Sequence, residues 1–318
     1  MDKHEIGIIG LGKMGGNLAS QALEKDIKVV GLTLGDPPEE LLQKGLISAK
    51  NPNDFLNHLD SPRMILIYIH SGPSIDQLIN DLAEVLEKGD ILLDGGNSYW
   101  GDSIRRYEHL KKQGIQYIDL GTSGGLEGAR IGACFMAGGE DTAVKKAEPV
   151  LKELSVEGGF VHAGPSGAGH FVKLVHNGIE FGMLQAIGEG IDLLTHYKDD
   201  LSIADILHCW SNGSVIRSWL IDLMEKTYRE EGSLEKIPHY IEDTGEVNWL
   251  VDDAMQMEVP VQVIAQSVMQ LFASRDENKN RARAIAMMRH GFGGHPYGPD
   301  KSIRKGRKKG RVGGFYSG

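Results

Sequence analysis

The sequence predicts an α/β protein, with an N-terminal doubly wound parallel sheet followed by an all-helical C-terminal domain. Three observations predict it. Short apolar runs alternate with helical periods as far as about residue 163. The loops after those runs are rich in Gly, Ser and Asn, and such sheets place ligands at the C-terminal ends of their strands. Beyond Gly164 the strand signals stop and long helical periods take over.

The first apolar run, residues 5–10 (EIGIIG), leads into Gly10-Leu11-Gly12-Lys13-Met14-Gly15, which opens a helix to about Glu24. This is GxGxxG between a strand and a helix, the setting that gives the motif its meaning. Its glycines let the backbone approach a pyrophosphate, and the helix N-terminus meets the charge, so a Rossmann dinucleotide-binding domain is expected. A second strand, Lys28–Leu32, ends at Thr33, where an acid or a base would meet the ribose. No Arg or Lys stands there for a 2′-phosphate, and Asp36 would repel one; NAD is expected over NADP.

Further strands follow at Met64–Ile69, at Asp90–Asp94 running into Gly95-Gly96-Asn97-Ser98, and at Tyr117–Leu120 running into Gly121-Thr122-Ser123-Gly124-Gly125. A pair around Ala133–Ala137 and Gly159–Ala163 completes the sheet. From Gly164 to Leu194 the sequence predicts one long helix of about eight turns. Lys173, His176, Asn177 and Glu180 fall at i, i+3, i+4 and i+7 and share one face of it. Apolar Val172, Leu174, Val175 and Ile179 flank that stripe. Four polar groups on an apolar helix are costly to enclose without a purpose, the alternative being a solvent-facing stripe. Helices are expected at Ile203–Trp210, Ser214–Tyr228, Asn248–Met257, Val261–Ala273 and Asn280–Arg289. The expected organisation is a nucleotide-binding domain over 1–165, a helical substrate and dimerisation domain over 166–300, and a basic tail over 301–318.

Composition narrows the function class. The net charge of −10 conceals seven Lys/Arg in residues 301–318, which leaves a strongly acidic body and argues against nucleic-acid binding. No apolar run approaches the ~20 residues that span a membrane. Two distant cysteines, Cys134 and Cys209, give neither a disulfide framework nor a metal motif. A reduced, cytoplasmic protein without metal is expected.

Several stretches together resemble the 6-phosphogluconate dehydrogenases, a branch of the β-hydroxyacid dehydrogenases: GLGKMGGN (10–17), DGGNS (94–98), GTSGGLEGARIG (121–132), GAGHFVKLVHNGIEFG (167–182) and RHGFGGH (289–295). The most specific is K-x-x-H-N-x-x-E at 173–180, and the length fits the short form of the family. The resemblance implies that Lys173 is the base for the substrate C3 hydroxyl and that Glu180 protonates C1 after decarboxylation. It implies that His176 and Asn177 hold hydroxyls, that Ser123, Gly124 and Gly125 bind the carboxylate, and that Asn97 lies between cofactor and substrate. Arg289 and His295 would reach a neighbouring subunit's site in a homodimer, or in a tetramer of such dimers.

The sequence also departs from the pattern. Phe181 stands where the family's long form has a phosphate-binding tyrosine, Gln270 where relatives have an arginine, and Glu246-Val247-Asn248 where a basic residue is usual. Asn248, Gln270 and Arg289 would therefore meet a C6 group less charged than phosphate, such as the sulfonate of 6-deoxy-6-sulfogluconate. The alternatives are a non-decarboxylating β-hydroxyacid dehydrogenase and a nucleotide-binding protein without turnover.

Overall fold

The computed structural model describes residues 4–301, so the basic tail past Lys301 lies outside the described residues. Strands β1 (Glu5–Ile9), β2 (Lys28–Leu32), β3 (Ile47–Ala49), β4 (Met64–Ile67), β5 (Ile91–Asp94), β6 (Gln116–Ser123), β7 (Ala133–Gly139) and β8 (Ser155–Gly164) form one sheet in the order β3-β2-β1-β4-β5-β6-β7-β8. Helices α1 (Lys13–Glu24), α2 (Glu39–Gln43), α3 (Pro52–Asn57), α4 (Pro73–Ala83), α5 (Trp100–Lys111), α6 (Gly125–Ile131) and α7 (Asp141–Leu154) lie between the strands. They are followed by α8 (Ala168–Thr195), α9 (Ile203–Ser211), α10 (Trp219–Glu231), α11 (Glu246–Gln256), α12 (Gln262–Arg275) and α13 (Asn280–Gly293).

Successive residues of a central strand serve opposite faces of the sheet. In β4, Ile65 and Ile67 join Phe55, Ile79 and Tyr117 in one core, whereas Leu66 joins Leu18, Leu93 and Phe135 in the other. Burial on both faces is why these strands read as unbroken apolar runs. The sheet is parallel from β3 to β6, but β7 runs antiparallel to β6 and β8 parallel to β7. The expected doubly wound parallel sheet is thus observed as a mostly parallel one, with an antiparallel pairing at β6–β7. Residues 124–132, which hold only the short α6, are too few for a crossover, so the chain doubles back. The helix expected from Ser214 begins instead at Trp219, where Ser218 accepts the Ile221 N–H as N-cap.

Two compact units divide the described chain: one holds everything up to Lys236 together with Asp243–Val268, the other Ile237–Glu242 with the residues from Met269 onward. Within the first, α8 begins against the centre of the sheet. Asp119, fully buried on β6, accepts the Gly167 N–H at 2.7 Å and the His170 N–H at 3.0 Å, so a carboxylate from another element caps this helix. Gly169 allows the approach, because a Cβ there would overlap the backbone oxygens of Asp119 and Met136. Gly169→Val is expected to lower the unfolding free energy by about 1–3 kcal/mol, read as a lower denaturant midpoint at unchanged slope.

Candidate active site

The nucleotide crevice sits beside β1, where the strand order reverses between β2 and β4. Gly10 has φ +93°, and a Cβ there would overlap the Tyr68 carbonyl oxygen, while one at Gly15 would overlap that of Gly10. Gly12 differs. It precedes α1 without a side-chain cap, and nothing lies within 4 Å of where its Cβ would stand. The open space in front of uncapped helical N–H groups fits a pyrophosphate. Lys13 is exposed, whereas Leu11 and Met14 pack into the core and leave their backbone to the crevice. At the end of β2, Thr33 is half-buried and Leu34, Gly35 and Asp36 are exposed.

The loop after β5 is fixed from beneath by Asp94. This buried carboxylate accepts from Gly96 N–H (3.0 Å), Ser98 Oγ (2.9 Å), Tyr117 Oη (2.9 Å) and the buried Arg106 Nη1 (3.2 Å). The loop holds Asn97 at φ +52°, with Oδ1 accepting the Thr122 N–H at 3.1 Å. His170 braces the same loop from α8: its Nε2 donates to the Asp94 carbonyl (2.9 Å), and Nδ1 meets Ser103 Oγ (2.7 Å).

On α8 the polar stripe faces the sheet at one end and opens outward at the other. Lys173 is only 7% exposed, while Glu180 is 38% exposed. Lys173 Nζ donates to Asn177 Oδ1 at 2.6 Å and lies 3.4 Å from His176 Nδ1. His176 Nε2 is 3.1 Å from Ser123 Oγ, and its Nδ1 is 3.8 Å from Glu180 Oε2. Burial lowers the Lys173 pKa against the opposing pull of Glu180, Glu246 and Cys134. A small pocket lined by Asn97, Ser98, His170, Lys173, Leu174, Glu246 and Trp249 adjoins this amine.

The structure thus brings Lys173, His176, Asn177, Ser123 and Asn97 to one place, with Glu180 a turn further along. Gly124, at φ +105°, and Gly125, at φ +59°, open α6 directly after Ser123. Asn248 carries a buried Oδ1 without a hydrogen-bond partner among the described residues. Phe181 packs against the apolar cluster of Leu174, Val247 and Leu250. Gln270, Arg289 and His295 belong to the second compact unit: Gln270 is half-buried on α12, Arg289 is exposed on α13, and His295 meets the Phe292 ring edge-on with centroids 6.0 Å apart. One acidic group at the site was not expected from the sequence. Glu246 Oε2 accepts from Asn177 Nδ2 at 2.9 Å, and no local spacing signals that contact across the fold.

Fold and site together define a nucleotide-dependent oxidoreductase built on a buried lysine. Residues 5–164 match the family model described as the NAD binding domain of 6-phosphogluconate dehydrogenase, and residues 169–305 match its C-terminal domain. The chain belongs to the 6-phosphogluconate dehydrogenase family. It is 39% identical to a provisionally named 6-phosphogluconate dehydrogenase of Bacillus subtilis, over 92% of this chain and 98% of that protein. It is 36% identical to the NAD(+)-dependent, decarboxylating enzyme of Haloferax volcanii, over 92% and 97%. Among solved structures, Plasmodium falciparum 6-phosphogluconate dehydrogenase superposes with a TM-score of 0.80 at 26% identity, covering 95% of this chain and 68% of that one.

The Cβ that Gly12→Val adds stands in open space, so the loss of glycine at the N-cap is the main cost and the melting temperature is expected to fall by no more than about 2–4 °C. Dinucleotide affinity should fall at least tenfold, ~1.4 kcal/mol, as titration calorimetry would read. Gly10→Val should instead unfold the domain.

Proposed function

We propose that the protein oxidatively decarboxylates a C6-substituted gluconate to a ketopentose and carbon dioxide, with NAD as the oxidant. The observation that carries this reading is the Lys173 amine, buried beside Asn177, His176 and the Asn97 loop with its pKa lowered by desolvation. When bound, the nicotinamide supplies the hydride acceptor. Neutral Lys173 takes the proton of the C3 hydroxyl and returns it to the C3 carbonyl oxygen as the C1 carboxylate leaves. Glu180, on the open end of the stripe, then delivers a proton to C1. His176 and Asn177 hold hydroxyls of the sugar acid, and Ser123 with the backbone of Gly124 and Gly125 holds its carboxylate. The intact Lys–His–Asn–Glu stripe sets this reading above an oxidising-only dehydrogenase or a nucleotide-binding protein without turnover.

NAD is favoured because the loop from Thr33 to Asp36 offers no cation for a 2′-phosphate. A division near residue 165 into a nucleotide domain and a helical domain is kept, on the spans of the two family matches. Arg289 and His295 are assigned to a partner's site in a homodimer or a tetramer. In support, α13 buries no residue and exposes Ile285, Met287, Met288 and Phe292, an apolar surface suited to a second subunit. Among the described residues no helix is long and apolar enough to cross a membrane, and both cysteines are free; a reducing cytoplasm suits them.

At C6 the relatives' names point to phosphate. A second reading, 6-deoxy-6-sulfogluconate, is favoured by the neutral Asn248 and Gln270 and by Phe181, whose ring joins an apolar cluster. Turnover of gluconate, 6-phosphogluconate and 6-deoxy-6-sulfogluconate with NAD and NADP, with carbon dioxide release measured, tests all of this. NAD is expected to give the higher kcat/KM; a tenfold advantage for 6-phosphogluconate would remove the sulfonate reading, and absence of turnover would remove the activity.

Lys173→Met is expected to abolish hydride transfer while leaving the NAD dissociation constant near wild type, and Glu180→Gln to slow turnover without loss of substrate binding. In the wild type, kcat/KM should rise with pH as Lys173 deprotonates, with its midpoint below the ordinary lysine range. Near-normal turnover by Lys173→Met would end the assignment.

A further inference from the structure

Glu246 opens α11 and comes against α8 across the fold. Its Oε2 accepts from Asn177 Nδ2 at 2.9 Å, and Asn177 Oδ1 in turn accepts from Lys173 Nζ at 2.6 Å. A carboxylate only accepts and a side-chain amide has one accepting end, so this chain permits a single amide orientation. Turned over, Asn177 would present N–H groups to the amine and an oxygen to the carboxylate. An amine that donates to Oδ1 keeps its lone pair away from the amide and free for a substrate proton. The placement of Glu246 is itself built. Asp253, two turns along α11 and 4% exposed, accepts from Tyr99 Oη at 2.8 Å and from Trp100 Nε1 at 2.7 Å. Those residues follow the Asn97 loop, so α11 is tied to the segment that carries Asn97.

We infer that Glu246 is a positioning residue for Lys173: it locks the Asn177 amide with its oxygen on the amine, and its carboxylate is a second negative charge, beside Glu180, acting on that amine. The inference rests on Lys173 being the proton carrier proposed above. The groups that act on the amine are His176 and Glu180 from its own helix, Glu246 from α11 and Cys134 from β7. Those acting on Glu246 are Lys173, Asn177 and His170 from α8, with Thr244 just before α11. Burial draws Lys173 down and Glu246 up, while each opposes the shift in the other.

Two substitutions separate the roles. Glu246→Gln keeps an oxygen for Asn177 Nδ2 and removes the charge; Glu246→Ala removes both. The primary readout needs neither cofactor nor substrate: the rate at which acetic anhydride acylates Lys173 in the full-length protein against pH, followed on its peptide by mass spectrometry. Glu246→Gln should move the midpoint of that profile to lower pH, because a charge that retains the proton is gone. Glu246→Ala should also lower kcat by ten- to a hundredfold, the scale of a misplaced catalytic group, with a smaller change in KM and partial recovery in Glu246→Gln. A role confined to stability would lower the melting temperature and leave the midpoint unmoved. An unmoved midpoint in a folded Glu246→Gln protein, or wild-type kcat in Glu246→Ala, overturns the inference. A moved midpoint in a protein that turns over no gluconate derivative upholds it and overturns the proposed activity instead.

Discussion

The structure depends on one carboxylate. Asp119, in the middle of β6, receives the first N–H groups of α8 and so fixes where a 28-residue helix leaves the sheet. Lys173 follows His170 by less than one turn, so its height above β6 is set by that cap. Burial pushes the Asp119 pKa up, against the nearby His170 and the N–H groups of Gly167 and His170. The acceptor and the uncapped helix end each relieve the desolvation of the other. Gly121 and Gly138 share the arrangement: a Cβ on Gly121 would stand 2.6 Å from Lys173 Cβ, and one on Gly138 would crowd the Asp119 carboxylate. Glycines on the neighbouring strands thus make room for both helix and lysine.

A second buried carboxylate repeats the device for the facing wall. Asp94 spends its oxygens on its own loop, on Tyr117 and on Arg106, and Arg106 also reaches Asp76 at the start of α4. Because every donor to Asp94 is protein, the loop that carries Asn97 is held without a ligand. Asp253 fixes the third wall through Tyr99 and Trp100. Three buried aspartates therefore set the positions of α8, the Asn97 loop and α11, and each is matched with donors as buried charge requires.

What the sequence made legible was local. The glycines before α1, the strand runs and the i, i+3, i+4, i+7 stripe all depend on spacing within one element, and the helix carrying the stripe begins four residues after Gly164, where the sequence predicts its start. The reversal at β7 was not legible, because the strand runs fix positions and not direction; the shortness of residues 124–132 was its signal. β3 escaped because three residues, Ile47–Ala49, show no period. In the sequence Glu246 marks only the place where relatives usually carry a basic residue. Its carboxylate meets Asn177 from a distance of 69 residues along the chain, a contact made by the packing of α11 on α8 and by nothing in the sequence around it.

The electrostatics at Lys173 show which effect prevails. Two carboxylates favour its proton, yet desolvation outweighs them and the net shift is downward. The sign then follows. Between the folded pKa and the ordinary 10.5 the unfolded chain binds more protons, so stability rises with pH through that window, and the full cost of burying the ammonium is borne below it. Glu246 is the mirror case. Its folded pKa lies above 4.5, so stability falls as pH rises through that range, and the cost of its charge is borne above it. Near neutrality both burials therefore oppose folding, while their mutual attraction and the shared Asn177 reduce the sum. A site assembled for stability alone would replace both with apolar groups. A reluctant ammonium next to a reluctant carboxylate, bridged by one amide of fixed orientation, is what the proposed role of Lys173 requires, since a proton carrier gives up its proton and recovers it within a single turnover.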